Sequence, residues 1–114
     1  RQGQILFLRV GDPLDKNTDI GAINSKEQLA KITAMVASGV KEGAEMFQPA
    51  CKLPARGFYF RPTIFSGVSM SHRIAREEIF GPVLSCLRVA DLAQAVDLIN
   101  AHEFGNGVSC FTRD

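Results

Sequence analysis

The sequence predicts an α/β fold with an open, mainly parallel sheet and flanking helices. Two segments carry apolar residues at helical spacing, and each begins with a polar residue that suits a helix cap. Short β-prone runs lie between these segments and after them. The last part of the chain therefore has the order strand, helix, strand, which implies a right-handed crossover and a parallel strand pair. Helices and strands in this order form layers of helix on sheet.

The N-terminal half is predicted to contain a turn-rich stretch, a helix and a short strand. Gly, Asp, Pro and Asn cluster in residues 11–19, which are typical of turns. Ser25 is a good N-cap, and Gln28 three residues later completes a capping-box pattern. The first helix should therefore begin at Ser25, and Gly43 fits just past its end. Residues 45–48 should then form a short strand.

The C-terminal half is predicted to contain two strands, a helix and a closing strand. The first strand covers residues 58–65, and Pro62 places it at a sheet edge or breaks it. Residues 83–89 are a near-continuous apolar run, as expected of a buried strand. Asp91 can cap the second helix, and residues 108–112 are expected to form the closing strand.

Length, charge and composition exclude several classes of protein. A chain of 114 residues forms one domain at most, so residues 1–114 are taken as a single unit. With 13 Lys and Arg against 12 Asp and Glu, no global field attracts nucleic acid or an anionic membrane. The apolar runs are far shorter than the ~20 residues that span a bilayer. We therefore expect neither a nucleic-acid nor a membrane partner.

The three cysteines do not form a recognisable reactive or metal-binding pattern. Cys51, Cys86 and Cys110 lie far apart, and none is paired with a nearby His or Cys at metal-ligand spacing. Cys86 and Cys110 sit in β-prone apolar runs and are expected to be small core residues. We predict no catalytic residue and no metal site here. Scattered thiols suit a reducing compartment, the cytoplasm or, with an upstream targeting peptide, the mitochondrial matrix.

The most informative stretch is residues 75–83, which read Ala-Arg-Glu-Glu-Ile-Phe-Gly-Pro-Val. Two adjacent carboxylates, Glu77 and Glu78, precede an apolar pair, and Gly-Pro then turns the chain into a β-prone run. A carboxylate beside an aromatic ring where a strand begins can hydrogen-bond a sugar while the ring covers a flat heterocycle. The alternative interpretation is that the two carboxylates form a solvated charge pair and Phe80 fills the core.

This stretch closely resembles the Glu-Glu-Ile-Phe-Gly-Pro-Val signature of the NAD(P)-dependent aldehyde dehydrogenase superfamily. Three other stretches are similar to parts of the same family, in the right order. They are the turn-rich residues 11–21, the strand-like residues 60–65 and the strand end at residues 111–114. The resemblance implies that the chain is a segment of an aldehyde dehydrogenase, from the later part of its catalytic domain.

The resemblance also implies cofactor contacts for four residues. Glu78 would reach the nicotinamide ribose, and Phe80 would pack near the nicotinamide. In some members a Gln and a Lys three residues apart in the first helix face the cofactor riboses. Gln28 and Lys31 occupy those positions and share a helix face; the alternative is a capping Gln and a solvent-exposed Lys. The implied cofactor is NAD or NADP in the complete enzyme, with no tight binding to this segment alone.

The reaction implied by the resemblance is oxidation of an aldehyde to a carboxylic acid or an acyl thioester. The family's nucleophile lies in a Gly-Gln-x-Cys context and its general base in a Glu-Leu-Gly-Gly context, and neither occurs in these 114 residues. The segment alone is therefore expected to be inactive and to contribute cofactor positioning. The aldehyde stays open, because Asn100 together with residues 104–107 resembles the methylmalonate-semialdehyde dehydrogenase branch, whereas residues 11–21 resemble the general branch.

A second class of function competes with this one. The chain could be a non-catalytic module that keeps the fold and binds a partner or self-associates. Interrupting a larger sheet exposes strand edges and apolar patches, which favour association. A homo-oligomer is therefore expected.

Overall fold

A mixed three-stranded sheet with helices beside it organises residues 6–113, which the computed structural model describes. The elements in chain order are helix α1 (Lys26–Lys41), strand β1 (Glu45–Phe47), strand β2 (Thr63–Ser66), helix α2 (Arg73–Arg76), strand β3 (Val83–Ser85) and helix α3 (Leu92–Ala101). Strand β2 is central, antiparallel to β1 and parallel to β3. The predicted α/β class is confirmed, with one antiparallel and one parallel pairing.

Helix α1 has the ends that the sequence predicts. Ser25 caps it, because its hydroxyl oxygen accepts the backbone N–H of Gln28 at 3.0 Å. Gly43 follows the helix with φ of +95°, in the left-handed region that favours glycine. A complete capping box has a second bond, in which the backbone N–H of Ser25 donates to the side chain of Gln28. This bond is not formed in the described structure.

The core lies between helix α1, strand β2 and helix α2. Ile32, Met35 and Val36 on one face of α1 are buried with Phe65 of β2 and Ile74 of α2. Gly39 permits this close packing, because a Cβ there would lie 3.0 Å from both Ile74 Cδ1 and Phe65 Cζ. The helix that carries Gln28 and Lys31 is thus seated directly on the sheet.

A buried threonine, Thr63, bonds to neighbouring segments through its hydroxyl and its backbone where strand β2 begins. Thr63 Oγ1 donates to the carbonyl of Arg61 at 2.9 Å and accepts from Gln48 Nε2 at 3.1 Å. The backbone N–H of Thr63 donates to the carbonyl of Pro82 at 2.8 Å. The end of the signature stretch is therefore fixed to the central strand.

The closing strand predicted at residues 108–112 is wrong. No strand forms there, and Val108 and Phe111 are 72% and 94% exposed. A strand needs a neighbour that offers a free row of N–H and C=O groups, and within residues 6–113 no strand pairs with this run. The crossover and parallel pair that it implied are therefore absent from the described range, and Asp114 lies outside it. Cys110, in the same run, is exposed rather than part of the core.

The other predicted strands are shorter than their apolar runs. The strand predicted at residues 58–65 begins only at Thr63, directly after Pro62, which has no N–H for the ladder. The run at residues 83–89 forms a strand over Val83–Ser85. It is not buried on both faces, because Leu84 is 57% exposed.

Helix α3 leaves much of its apolar surface uncovered. It begins after Asp91, whose carboxylate accepts the backbone N–H of Gln94 at 2.8 Å, as predicted. Leu92, Val96 and Ile99 remain exposed along it. The helices found in residues 6–113 do not include one with the length and apolar character needed to cross a membrane.

Candidate cofactor-facing site

The signature stretch, residues 75–83, connects helix α2 to strand β3 through two tight bends of the backbone. The N–H of Gly81 donates to the carbonyl of Ile79 at 2.9 Å, and the N–H of Val83 donates to the carbonyl of Gly81 at 2.8 Å. Each bond spans only two residues, so the chain makes two successive γ-turn-like bends. Ile79 packs against the core, whereas Glu78 and Phe80 on either side of it are exposed.

The two adjacent carboxylates have different environments. Arg73 Nε lies 2.7 Å from Glu77 Oε2, an i, i+4 ion pair that begins in helix α2. The hydrogen bond and charge of Arg73, with a smaller contribution from Lys31, lower the pKa of Glu77. Glu78 has no hydrogen bond or ion pair to any residue in the described range. Both carboxylates are exposed, as the alternative of solvated side chains expects, but only Glu77 is paired with a cation, and Glu78 is left available.

Phe80 does not fill the core. Its side chain is 65% exposed, because Ile79 takes the inward position beside it. The ring forms one wall of an open cleft of about 260 Å³, opposite residues 20–24. The core-filling alternative for Phe80 is thus wrong, and an aromatic face is presented at the surface.

Helix α1 lies directly beside the signature stretch. The half-buried Gln28 donates from Nε2 to the carbonyl of Phe80 at 3.4 Å. Lys31, one turn further on, is exposed and close enough to Glu77 to lower its pKa. The structure therefore brings together the four residues singled out from the sequence. Gln28 faces the signature backbone, which explains why the capping box is left half-formed.

Sequence reasoning missed the anchor of helix α2. Its N-cap, His72, makes no side-chain capping bond. Glu42 replaces it: both carboxylate oxygens accept the N–H of Arg73 at 3.3 Å, and Ser38 Oγ donates to the same carboxylate at 2.9 Å. These bonds, that of Ser38 foremost, lower the pKa of Glu42. The i, i+4 spacing of Arg73 and Glu77 offered a signal in the sequence, but Glu42 is 31 residues from its partner.

The described residues do not gather His, Cys, Asp and Glu side chains into a group that would hold a metal ion. The chemistry available at this surface is that of one free carboxylate, one ammonium, one amide and one aromatic ring. Comparison with known protein families shows which family the chain belongs to. The aldehyde dehydrogenase family model matches residues 4–114.

The chain belongs to the aldehyde dehydrogenase family. A betaine aldehyde dehydrogenase from Mesorhizobium japonicum is 40% identical over 114 residues, which cover 94% of this chain and 23% of that protein. An NAD-dependent aldehyde dehydrogenase from Sinorhizobium meliloti superimposes with a TM-score of 0.76 at 45% identity, over 83% of this chain and 19% of that one. A methylmalonate-semialdehyde dehydrogenase from Oceanimonas doudoroffii superimposes with a TM-score of 0.91 at 35% identity, over 99% of this chain and 24% of that one.

The similarity covers nearly all of this aldehyde dehydrogenase chain but a small part of its relatives. The chain spans about a quarter or less of the length of the relatives named above. Its small mixed sheet and helices correspond to a part of the structures of aldehyde dehydrogenases. The names of these relatives specify different aldehydes.

Proposed function

We propose that this chain is the cofactor-positioning segment of an NAD(P)-dependent aldehyde dehydrogenase. The enzyme would oxidise an aldehyde to a carboxylic acid or an acyl thioester. The observation that carries the proposal is the unpaired Glu78 carboxylate two residues before the exposed Phe80 ring, with Gln28 and Lys31 on the adjacent helix. Membership of the family supports the class of reaction.

The side chains at this surface suit a pyridine nucleotide. An ionised carboxylate accepts hydrogen bonds from sugar hydroxyls, and such charge-assisted bonds are about twice as strong as neutral ones. Glu78 is free to do this, because Glu77 rather than Glu78 is paired with Arg73. The exposed face of Phe80 can cover a flat ring, and the Lys31 ammonium adds a donor on the same side.

In this proposal the segment orients and does not itself react. When bound, the nicotinamide ring supplies the hydride acceptor, as in other nicotinamide enzymes. Glu78 holds the ribose, and Phe80 restricts where the ring can lie. The attacking cysteine and the general base belong to parts of the enzyme outside these residues. The segment alone is therefore proposed to be inactive and to bind the cofactor weakly.

The proposal is tested by Glu78→Gln in the complete enzyme that carries this segment. A hydrogen bond to a charged group contributes about 1.5–3 kcal/mol, so kcat/KM for NAD(P) should fall about 10- to 100-fold. Stability should change by less than about 0.5 kcal/mol, because the side chain is exposed and makes no contacts that folding requires. Steady-state kinetics with varied cofactor measure the first effect, and urea unfolding measures the second.

Glu77→Gln is the matched control. It removes the same charge one residue earlier, but from the carboxylate that is paired with Arg73. Its kcat/KM for NAD(P) should stay within about threefold of the wild type, since exposed ion pairs contribute about 0–1 kcal/mol. Unchanged kinetics in Glu78→Gln, or equal losses in both variants, would show that Glu78 does not have the role proposed for it.

A non-catalytic, self-associating module remains the second candidate, because a large apolar surface is uncovered. The exposed apolar residues towards the C-terminus include Leu84, Leu92, Val96, Ile99, Val108 and Phe111. The coding sequence on either side separates the two candidates. A Gly-Gln-x-Cys context in the same reading frame supports the enzyme, whereas a start and a stop that enclose only these residues support the module. In both cases we propose a homo-oligomer, and the three free thiols favour the cytoplasm or the mitochondrial matrix.

A further inference from the structure

We propose that Ile32 and Gln28 of helix α1 are positioning residues for the Phe80 ring. They hold the peptide that joins Phe80 to Gly81, and so set the direction in which the exposed ring projects. This inference rests on the proposed function, because it concerns how Phe80 is aimed at the nicotinamide. It assigns a role to Ile32, which the sequence marks only as one apolar residue of a helical stripe.

The first contact is an unusually close approach of Gly81 to Ile32. Ile32 is fully buried, and a Cβ built on Gly81 would lie 2.7 Å from Ile32 Cδ1, 3.1 Å from Cγ1 and 3.4 Å from Cγ2. Gly81 does not have a positive φ, so its backbone conformation is open to other residues. Space rather than backbone conformation favours glycine here: a Cβ would force Ile32 Cδ1 to move and would crowd Cγ1, which is held in place because the side chain is β-branched.

The second contact is the hydrogen bond from Gln28. Gln28 and Ile32 are four residues apart, and therefore neighbours on one face of α1. The Gln28 amide donates to the carbonyl of Phe80 at 3.4 Å, and the N–H of Gly81 donates to the carbonyl of Ile79 at 2.9 Å. Both polar groups of the Phe80–Gly81 peptide are thus bonded, while the side chain of Ile32 lies against its glycine.

The consequence is a fixed backbone beneath an exposed ring. With 65% of its side chain exposed, Phe80 has few contacts that would hold the ring by packing. The peptide therefore sets the direction of the Cα–Cβ bond from which the ring projects, and the Gln28 bond and the contact with Ile32 hold that peptide in place. A misplacement of about 1 Å at a positioning contact can reduce an enzyme's rate by about 10²-fold.

The test is a double-mutant cycle in the complete enzyme. Gly81→Ala places a methyl group into Ile32 and should lower kcat/KM for NAD(P) by about 10- to 100-fold. Ile32→Val removes Cδ1, the atom nearest to that methyl, and should by itself lower kcat/KM for NAD(P) about three- to tenfold, because the contact that limits the position of Gly81 is loosened. Combining the two should recover about tenfold of the loss. Additive effects would overturn the inference, since residues in contact show coupling and distant ones do not.

Glu78→Gln is measured alongside, so that the two failures can be told apart. If Glu78→Gln leaves cofactor kinetics unchanged, the proposed function fails, whatever the cycle shows. If Glu78→Gln weakens cofactor use but Gly81→Ala does not, or if Ile32→Val fails to recover its loss, only the positioning role fails. Near-ultraviolet circular dichroism checks that each variant keeps its tertiary packing.

A second pair of variants decides the matter if Gly81→Ala does not fold. Gln28→Met removes the amide but keeps the chain length, and it should lower kcat/KM for NAD(P) about three- to tenfold, as expected for one hydrogen bond. In a Phe80→Ala background the same substitution should have a clearly smaller effect, because the part of the loss that acts through the ring is already gone. A loss of undiminished size in that background, or no loss in the wild type, would overturn the positioning role of Gln28.

Discussion

Two phenylalanines of this chain should separate folding from cofactor use. Phe65 is fully buried in strand β2, whereas Phe80 is 65% exposed in the signature stretch. Full burial of a phenylalanine side chain contributes about 1.5–3 kcal/mol, so the buried third of Phe80 contributes about 0.5–1 kcal/mol. Phe65→Ala loses the whole transfer free energy and leaves a cavity, for a total of about 3–5 kcal/mol.

Urea unfolding followed by circular dichroism measures both substitutions in the chain. With a slope of about 2 kcal/mol per molar urea, Phe80→Ala should lower the midpoint by about 0.3–0.5 M. Phe65→Ala should lower it by about 1.5–2.5 M, which is a large part of the total for a domain whose stability is about 5–15 kcal/mol. Truncation of a core neighbour of Phe65, such as Ile74, should also cause a large loss of stability.

In the complete enzyme the order of the two effects should reverse. Among folded molecules, Phe80→Ala should impair cofactor kinetics more than Phe65→Ala. Phe80→Ala should lower kcat/KM for NAD(P) by up to about 10²-fold through the loss of one positioning contact, with little change in stability. Equal losses of stability in the two variants would show that Phe80 packs in the core. Normal cofactor kinetics in Phe80→Ala would refute the role given to the ring.

Two further predictions concern charge and association. Arg73→Gln should raise the lowered pKa of Glu77 towards its ordinary range in an NMR titration. Because that pKa is depressed in the folded chain, the contribution of the pair to stability is complete above the ordinary carboxyl pKa. It is lost as the pH falls through the lowered pKa. A Glu77 titration that does not move in Arg73→Gln would contradict the ion pair. The isolated chain should self-associate through its exposed apolar surface, and Phe111→Ser should weaken this, because Phe111 is 94% exposed. Light scattering checks the mass, and a monomer at every concentration would count against the prediction.

Local signals in the sequence predicted helices α1 and α3, but not the short helix α2. Ser25 and Asp91 cap their helices through the oxygen atoms that the capping pattern requires. Glycine at position 43 marks the end of the first helix for a conformational reason. These features depend on residues within one turn of each other, which is why a single sequence is enough to find them.

Strand lengths could not be predicted in the same way, because a strand depends on a neighbour. Residues 108–112 have the composition of a strand, but no strand in the described range pairs with them. The run at residues 83–89 pairs with β2 only over Val83–Ser85. Composition shows whether a segment is able to form a strand, and a neighbouring strand with free backbone groups determines whether the strand forms.

The candidate site was found from its motif, but its supports were not. Glu78, Phe80, Gln28 and Lys31 could be named from the sequence, and they lie on one surface. The contact between Ile32 and Gly81 joins positions 49 residues apart, and no local pattern indicates it. The anchoring of Arg73 by Glu42 is likewise a product of the tertiary fold.

The hydroxyl of Thr63 limits which substitutions this segment can accept during evolution. It accepts from Gln48 and donates to the carbonyl of Arg61 inside a dry environment. Valine at position 63 would fill the same space but leave both the half-buried Gln48 amide and the Arg61 carbonyl without this partner, which costs up to about 1–3 kcal/mol for each group that stays buried. An apolar residue at position 48 removes the part of that penalty that falls on the amide. Descendants of this chain should therefore exchange the two positions as a pair, and an ancestor with valine at 63 should lack glutamine at 48.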